Sequence, residues 1–192
     1  GGVDYFTHAD SSGRHDLFEG AGEQPTDGYL TDLITQRALD WVQRMAQGSS
    51  PFFLSLHYTA PHWPWETRDD RALAHNLKGS LFHLAGGNIR TYRRMIHQMD
   101  EGIGRLLEAL RQVGRLDDTL LVFTSDNGGE RFSDNWPLVG GKMDLTEGGI
   151  RVPYIAMWPA VIQPGGVSEQ HCLTMDWSAT LLDAAGVAPQ AD

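Results

Sequence analysis

The residues best suited to chemistry fall in three short stretches of this 192-residue sequence, each beside prolines or glycines. His62 lies in Ala60-Pro61-His62-Trp63-Pro64, where prolines on both sides restrict the backbone and fix the direction of the imidazole. A histidine held this way can donate to an anion or protonate a leaving group. It can equally be a loop histidine packed among aromatics, and the chain has eight histidines. Asp126-Asn127-Gly128-Gly129 follows the apolar run Thr119–Thr124, so it falls where α/β folds place their sites, beyond the carboxyl end of a strand. Carboxylate and amide oxygens are hard ligands, suited to Ca²⁺ or Mg²⁺. The same four residues are also good turn formers, and the pattern alone leaves both readings open. Lys142 follows Gly140-Gly141 and can meet an oxyanion as a compact charge, or simply be a solvated lysine. The G-x-x-x-x-G-K-[ST] spacing of a nucleotide-binding loop is absent. Glu147 and Arg151, four apart, suit a local pair, and Asp100 within a helical pattern reads as structural.

These residues need elements to position them. Gly1–Asp27 is rich in turn formers and reads as loop, with one short strand at Val3–Phe6. Leu30, Ile34, Ala38, Trp41, Val42 and Met45 recur at helical spacing, with Thr31 as the expected N-cap and Gly48 as the stop. Phe52–Tyr58 is a short apolar run after Pro51 and reads as a buried strand. Thr59–Gly87 reads as a long irregular stretch of the kind that is functional or mobile. Tyr92 to Val113 keeps one apolar face up to Gly114 and predicts the longest helix. Thr119–Thr124 and Val152–Trp158 predict strands, and Asp176–Ala185 a last helix before Gly186. Apolar strands alternating with amphipathic helices predict an α/β fold with a largely parallel sheet flanked by helices. No composition shift or repeat divides the chain, so residues 1–192 read as one domain or part of one.

Composition narrows the functional class. A net charge of −10 disfavours nucleic acid as a partner, because phosphate backbones reward clustered Lys and Arg. A small anionic substrate is compatible with it, since a local site can be positive on an acidic chain. With 41% hydrophobic residues and no long apolar run, no membrane span is expected. Cys172 is the only cysteine, so no intramolecular disulfide can form.

The order and wording of the motifs carry more than any one of them. The chain resembles the sulfatase family of the alkaline phosphatase superfamily. The matching stretches are Pro51-Phe52-Phe53-Leu54 to Ala60-Pro61-His62, Tyr92 to Asp100 with Ile103-Gly104, and Thr119 to Ser125-Asp126-Asn127-Gly128. They continue through Gly141-Lys142 to Glu147-Gly148-Gly149-Ile150-Arg151-Val152-Pro153, then Trp158-Pro159 and Asp176 to Gly186. The match is weakest at residues 10–22 and 69–87. The resemblance implies an alkaline phosphatase-like fold and hydrolysis of sulfate esters, small molecules or glycans. It implies that Asp126 and Asn127 ligate a divalent cation, calcium or magnesium. It implies that His62 and Lys142 contact the sulfate, with His62 protonating the leaving oxygen and Lys142 stabilising charge. Thr7 is matched to a hydroxyl lining the site. A periplasmic, secreted or lysosomal-type compartment is suggested by the resemblance alone.

The departures matter as much. The family's nucleophile, formylglycine, is made from the first residue of C/S-x-P/A-x-R, and no such motif lies within residues 1–192. The upstream paired aspartates of the metal shell, and the upstream lysine and histidine of the sulfate site, are absent too. The chain is therefore expected to be the C-terminal half of a catalytic domain, lacking the nucleophile segment and the smaller C-terminal domain, and inactive by itself. Two other readings stay open: a phosphate or phosphonate ester hydrolase of the same superfamily, and a non-catalytic remnant that binds metal or sulfated ligands.

Overall fold

Apolar residues three and four apart decide the two long helices. In α1, Leu30–Met45, one stripe of Leu30, Thr31, Thr35, Ala38, Leu39 and Val42 is buried. The helix starts one residue earlier than its expected cap. The Tyr29 carbonyl already accepts from the Asp32 and Leu33 amides, which leaves Thr31 inside the first turn instead of capping it. The structure, a computed structural model, describes residues 2–77 and 86–188. Within the stretch expected to be irregular, α2 forms at Arg71–Leu77, its first amides bonded back to the Asp70 carbonyl; residues 78–85 lie outside the described part.

The longest helix, α3, spans Ile89–Gln112. Asn88 caps it, its side chain accepting from the Arg90 and Thr91 amides at 2.9 and 3.1 Å. It packs on α1 through Leu106, Ala109 and Leu110, which meet Ala38, Leu39 and Val42. Each fully buried Leu or Val there contributes about 1.5–3 kcal/mol. Gly102 lets the helices close up: a Cβ there would sit 2.5 Å from the Thr35 hydroxyl, which itself bonds Tyr58 at 2.8 Å. A second cluster gathers Tyr5, Phe6, Tyr29, Leu30, Ala60, Trp65, Ala74 and Met95. It lies beneath the segment that carries His62.

The sheet differs from expectation. Val3–Phe6 is a turn, because the Asp4 side chain accepts from the Phe6 and Thr7 amides at 3.0 and 2.6 Å. β1 (Phe18–Glu19) and β2 (Gly22–Glu23) form a small hairpin in the turn-rich region. β3, Leu121–Thr124, pairs with β4, Tyr154–Met157, and α4 (Glu147–Ile150) lies between them in the chain. Both pairings are antiparallel, so among the described residues no parallel ladder forms. Phe52–Tyr58 carries no ladder among the described residues. Its alternation is nonetheless that of a strand: Phe52, Leu54 and Leu56 pack on the α1–α3 cluster, while Phe53 is 68% exposed. The protein is thus α/β with small sheets.

Residues 1–161 form one compact unit, and residues 162–192 a second. Within the second, α5 runs over Asp176–Ala184, and the Asp176 carboxylate accepts from the Leu173 amide at 2.7 Å just ahead of it. Among the described residues no helix is long and apolar enough to cross a membrane.

Candidate functional site

The loop after β3 turns sharply, and its backbone is tied to the glycine-rich segment ahead of β4. The Gly128 amide bonds the Gly149 carbonyl at 2.8 Å, and the Gly148 amide bonds Val139 at 2.8 Å. The Lys142 amide donates to Gly129 at 3.0 Å, and the Asn135 side chain bridges the Gly129 and Gly140 carbonyls at 3.0 and 3.1 Å. Only glycine permits this approach: a Cβ on Gly148 would collide with the Gly140 carbonyl oxygen and lie 2.7 Å from that of Val139. Backbone cannot move aside as a side chain can. Gly148→Ala is therefore expected to cost about 2 kcal/mol, read as a lowered melting temperature, whereas an unchanged melt would show the loops pack otherwise.

These ties hold Lys142 beside the second chemical stretch. Its Nζ lies 3.0 Å from His62 Nε2 and 3.3 Å from Glu130 Oε2. An ammonium only donates, so Nε2 accepts; the ring proton then sits on Nδ1, which donates to the Trp63 carbonyl at 2.7 Å. The His62 carbonyl is anchored separately by the Tyr5 hydroxyl at 2.9 Å. Burial first, and then the neighbouring Tyr29, push the Tyr5 phenol well above its ordinary range, so it stays a neutral donor. Met143, next to Lys142, takes a left-handed conformation at φ 79° and leaves its side chain 92% exposed. His62, Trp63, Glu130, Lys142 and Met143 line an open cleft of about 280 Å³.

The remaining candidates lie apart from that cleft's lining. Asp126 is exposed and Asn127 half-buried; they lie in the turn after β3, three and two residues ahead of the Gly129 carbonyl that holds Lys142. Their oxygens suit a hard cation, but two donors are well short of six to eight. Among the described residues no group of three or more His, Cys, Asp or Glu could hold a metal ion. Thr7 sits in the Asp4 turn, with its hydroxyl buried and without a hydrogen-bond partner among the described residues. Glu130 was not singled out from sequence, although it directly follows Asp126-Asn127-Gly128-Gly129. A larger groove of about 1130 Å³ runs between α1 and α3, but its charges are already partnered, Arg68 with Asp32 and Glu101, Arg105 with Gln36 and Glu108 with Arg111. It contains none of the candidate residues.

Comparison with known proteins places this geometry. The Sulfatase family model matches residues 1–187. The chain belongs to the sulfatase family. As a sulfatase it is 36% identical to the N-acetylgalactosamine-6-sulfatase of Mus musculus over 170 residues, covering 85% of this chain and 30% of that protein. It is 32% identical to the uncharacterized sulfatase YdeN of Escherichia coli, over 97% of this chain and 34% of the relative. The crystal structure of Ps i-CgsB in complex with k-i-k-neocarrahexaose superposes with a TM-score of 0.81 at 32% identity, over 99% of this chain and 45% of that one. The sulfatase chain thus shares the alkaline phosphatase-like fold of those enzymes and spans about a third of the length of the curated relatives it matches.

Proposed function

We propose that this chain is part of a sulfuric ester hydrolase and that the His62–Lys142 cleft receives the sulfate group of a small-molecule or glycan ester. One observation carries the reading: in a member of the sulfatase family, an ammonium and an imidazole meet at 3.0 Å in an open cleft. Lys142 bears the charge that a sulfate oxygen needs, and Glu130, its present partner, is half-exposed and easily outcompeted. His62 is held by its carbonyl and by Nδ1, so Nε2, which accepts from Lys142 here, is the ring atom that would turn to the ester once it carries a proton. There it would hold or pass a proton toward the leaving oxygen while Lys142 meets the charge that develops.

Asp126 and Asn127 would hold a calcium or magnesium ion, which would supply polarisation of the sulfate, with water or other groups completing its shell. The formylglycine nucleophile would come from sequence outside residues 1–192, where its motif does not occur. The name of the murine relative and the hexaose bound to Ps i-CgsB support a sulfated sugar as substrate, and Trp63 offers a ring in the cleft for a sugar face. Calorimetry with N-acetylgalactosamine 6-sulfate tests this. Weak binding that is absent for the unsulfated sugar and lost in Lys142→Ala is expected. Equal binding of the unsulfated sugar would sink the sulfate assignment, and tighter binding of the 6-phosphate would favour a phosphate ester instead.

A further inference from the structure

Beneath the His62 segment two carboxyl groups are buried against each other. Asp4 is 4% exposed and Glu66 not at all. Each uses one oxygen conventionally: Asp4 Oδ1 accepts from the Phe6 and Thr7 amides, and Glu66 Oε2 accepts from the Tyr5 amide at 3.3 Å. The other oxygens, Asp4 Oδ2 and Glu66 Oε1, are buried with no donor among the described residues. Two acceptors without a donor cost several kcal/mol in a dry interior, and two like charges cost more. Yet the two carboxyl groups lie close enough for Asp4 to raise the Glu66 carboxyl. A single proton between them satisfies both orphaned atoms.

Tyr5 connects this pair to the cleft. Its amide is on Glu66, its hydroxyl is on the His62 carbonyl, and its ring stacks on Tyr29 at 5.3 Å. Tyr29 in turn donates to the Glu66 carbonyl at 2.8 Å. We propose that Asp4 and Glu66 share one buried proton, and that this acid pair acts as a positioning element for His62, through Tyr5.

Burial, and next the Asp4 charge, push Glu66 up from 4.5 to about 8, so the pair keeps its proton at neutral pH. Asp70, Tyr5, Tyr29 and His8 are the other titratable groups that act on the pair. Asp70 works in the same direction as Asp4. His8 is itself shifted down by its burial; its backbone amide donates to the Asp4 carbonyl at 3.1 Å, and its ring Nε2 meets the Gly28 carbonyl at 3.1 Å. Because the folded value is raised, the fold holds a proton that the unfolded chain releases. The stability this contributes is fully present below 4.5 and is lost as pH rises through about 8.

The test uses the 192-residue chain and Glu66→Gln, whose amide donates to Asp4 Oδ2 without a titrating proton. Infrared spectroscopy at neutral pH should show a protonated carboxyl band in the wild type that disappears in Glu66→Gln. The wild-type melting temperature should fall as pH rises from 4.5 to about 8, and the variant should be much flatter. In labelled protein the His62 ring resonance should show a step near the upper end of that range, absent in Glu66→Gln and in Tyr5→Phe. Tyr5→Phe should nevertheless retain the carboxyl band. If Glu66→Gln does not fold, Asp4→Asn interrupts the pair from the other side. No carboxyl band at neutral pH, or a His62 step that persists in Tyr5→Phe, overturns the proposal. None of these readouts requires turnover, although the role given to His62 rests on the sulfatase-site reading. If the band and the His62 step are found but no sulfate ester binds, that reading fails and the shared proton stands.

Discussion

Given calcium and a chromogenic aryl sulfate, the 192-residue chain is expected to show no multiple turnover above a His62→Ala control. The expected loss is large. Sulfate-ester cleavage in this family begins with attack by an aldehyde hydrate, and residues 1–192 contain no sequence from which one is made. His62 and Lys142 can position an ester and meet developing charge, but water would then have to be the attacker. Removing a covalent nucleophile from an otherwise intact site costs roughly 10⁴–10⁶-fold. Two metal donors in place of a full shell would lower the residual rate further. Steady release of product that vanishes in His62→Ala would mean that this chain carries its own nucleophile and a different mechanism.

The second large effect concerns the cleft in a protein that joins this chain to a nucleophile segment. There, His62→Ala and Lys142→Ala are each expected to lower kcat/KM for a sulfate ester by roughly 10²–10⁴-fold. The double variant should lose much less than the product of the two, since the side chains bond each other at 3.0 Å and act on one group. Lys142→Ala should raise KM as well, because it removes the charge that holds the ground-state sulfate. Strictly multiplicative losses would show that the two residues serve separate sites.

How much of this was legible in sequence depends on how local the cause is. The body of α3 was readable because its apolar stripe repeats over many turns; its start was not, because Asn88 caps a first turn that has little apolar signal. Thr31 had the right chemistry for a cap, but the Tyr29 carbonyl already began the helix, and no pattern reveals which of two neighbouring residues does so. Phe52–Tyr58 alternates as a strand should, and it has a strand's two faces. Whether it joins a ladder depends on a partner elsewhere, which its own residues do not encode. The parallel sheet was inferred from continuous apolar strands, and the ladder that forms between β3 and β4 is antiparallel.

The site shows the same division. His62, Asp126, Asn127 and Lys142 were singled out because each lies in a short stretch with prolines or glycines that shape the chain locally. That Lys142 meets His62 across 80 residues is tertiary, and so is the bond from Tyr5 to the His62 carbonyl. Asp4 and Glu66 escaped notice because their signal is burial without a donor, which only the packed structure reveals.

The most direct test of the sulfate site is a crystal structure of this chain grown with calcium and a sulfated monosaccharide. The account predicts sulfate oxygens about 2.7–3.2 Å from His62 Nε2 and Lys142 Nζ, with Glu130 displaced from the ammonium. A sulfate bound instead in the groove between α1 and α3, with Lys142 still on Glu130 and His62, would contradict it.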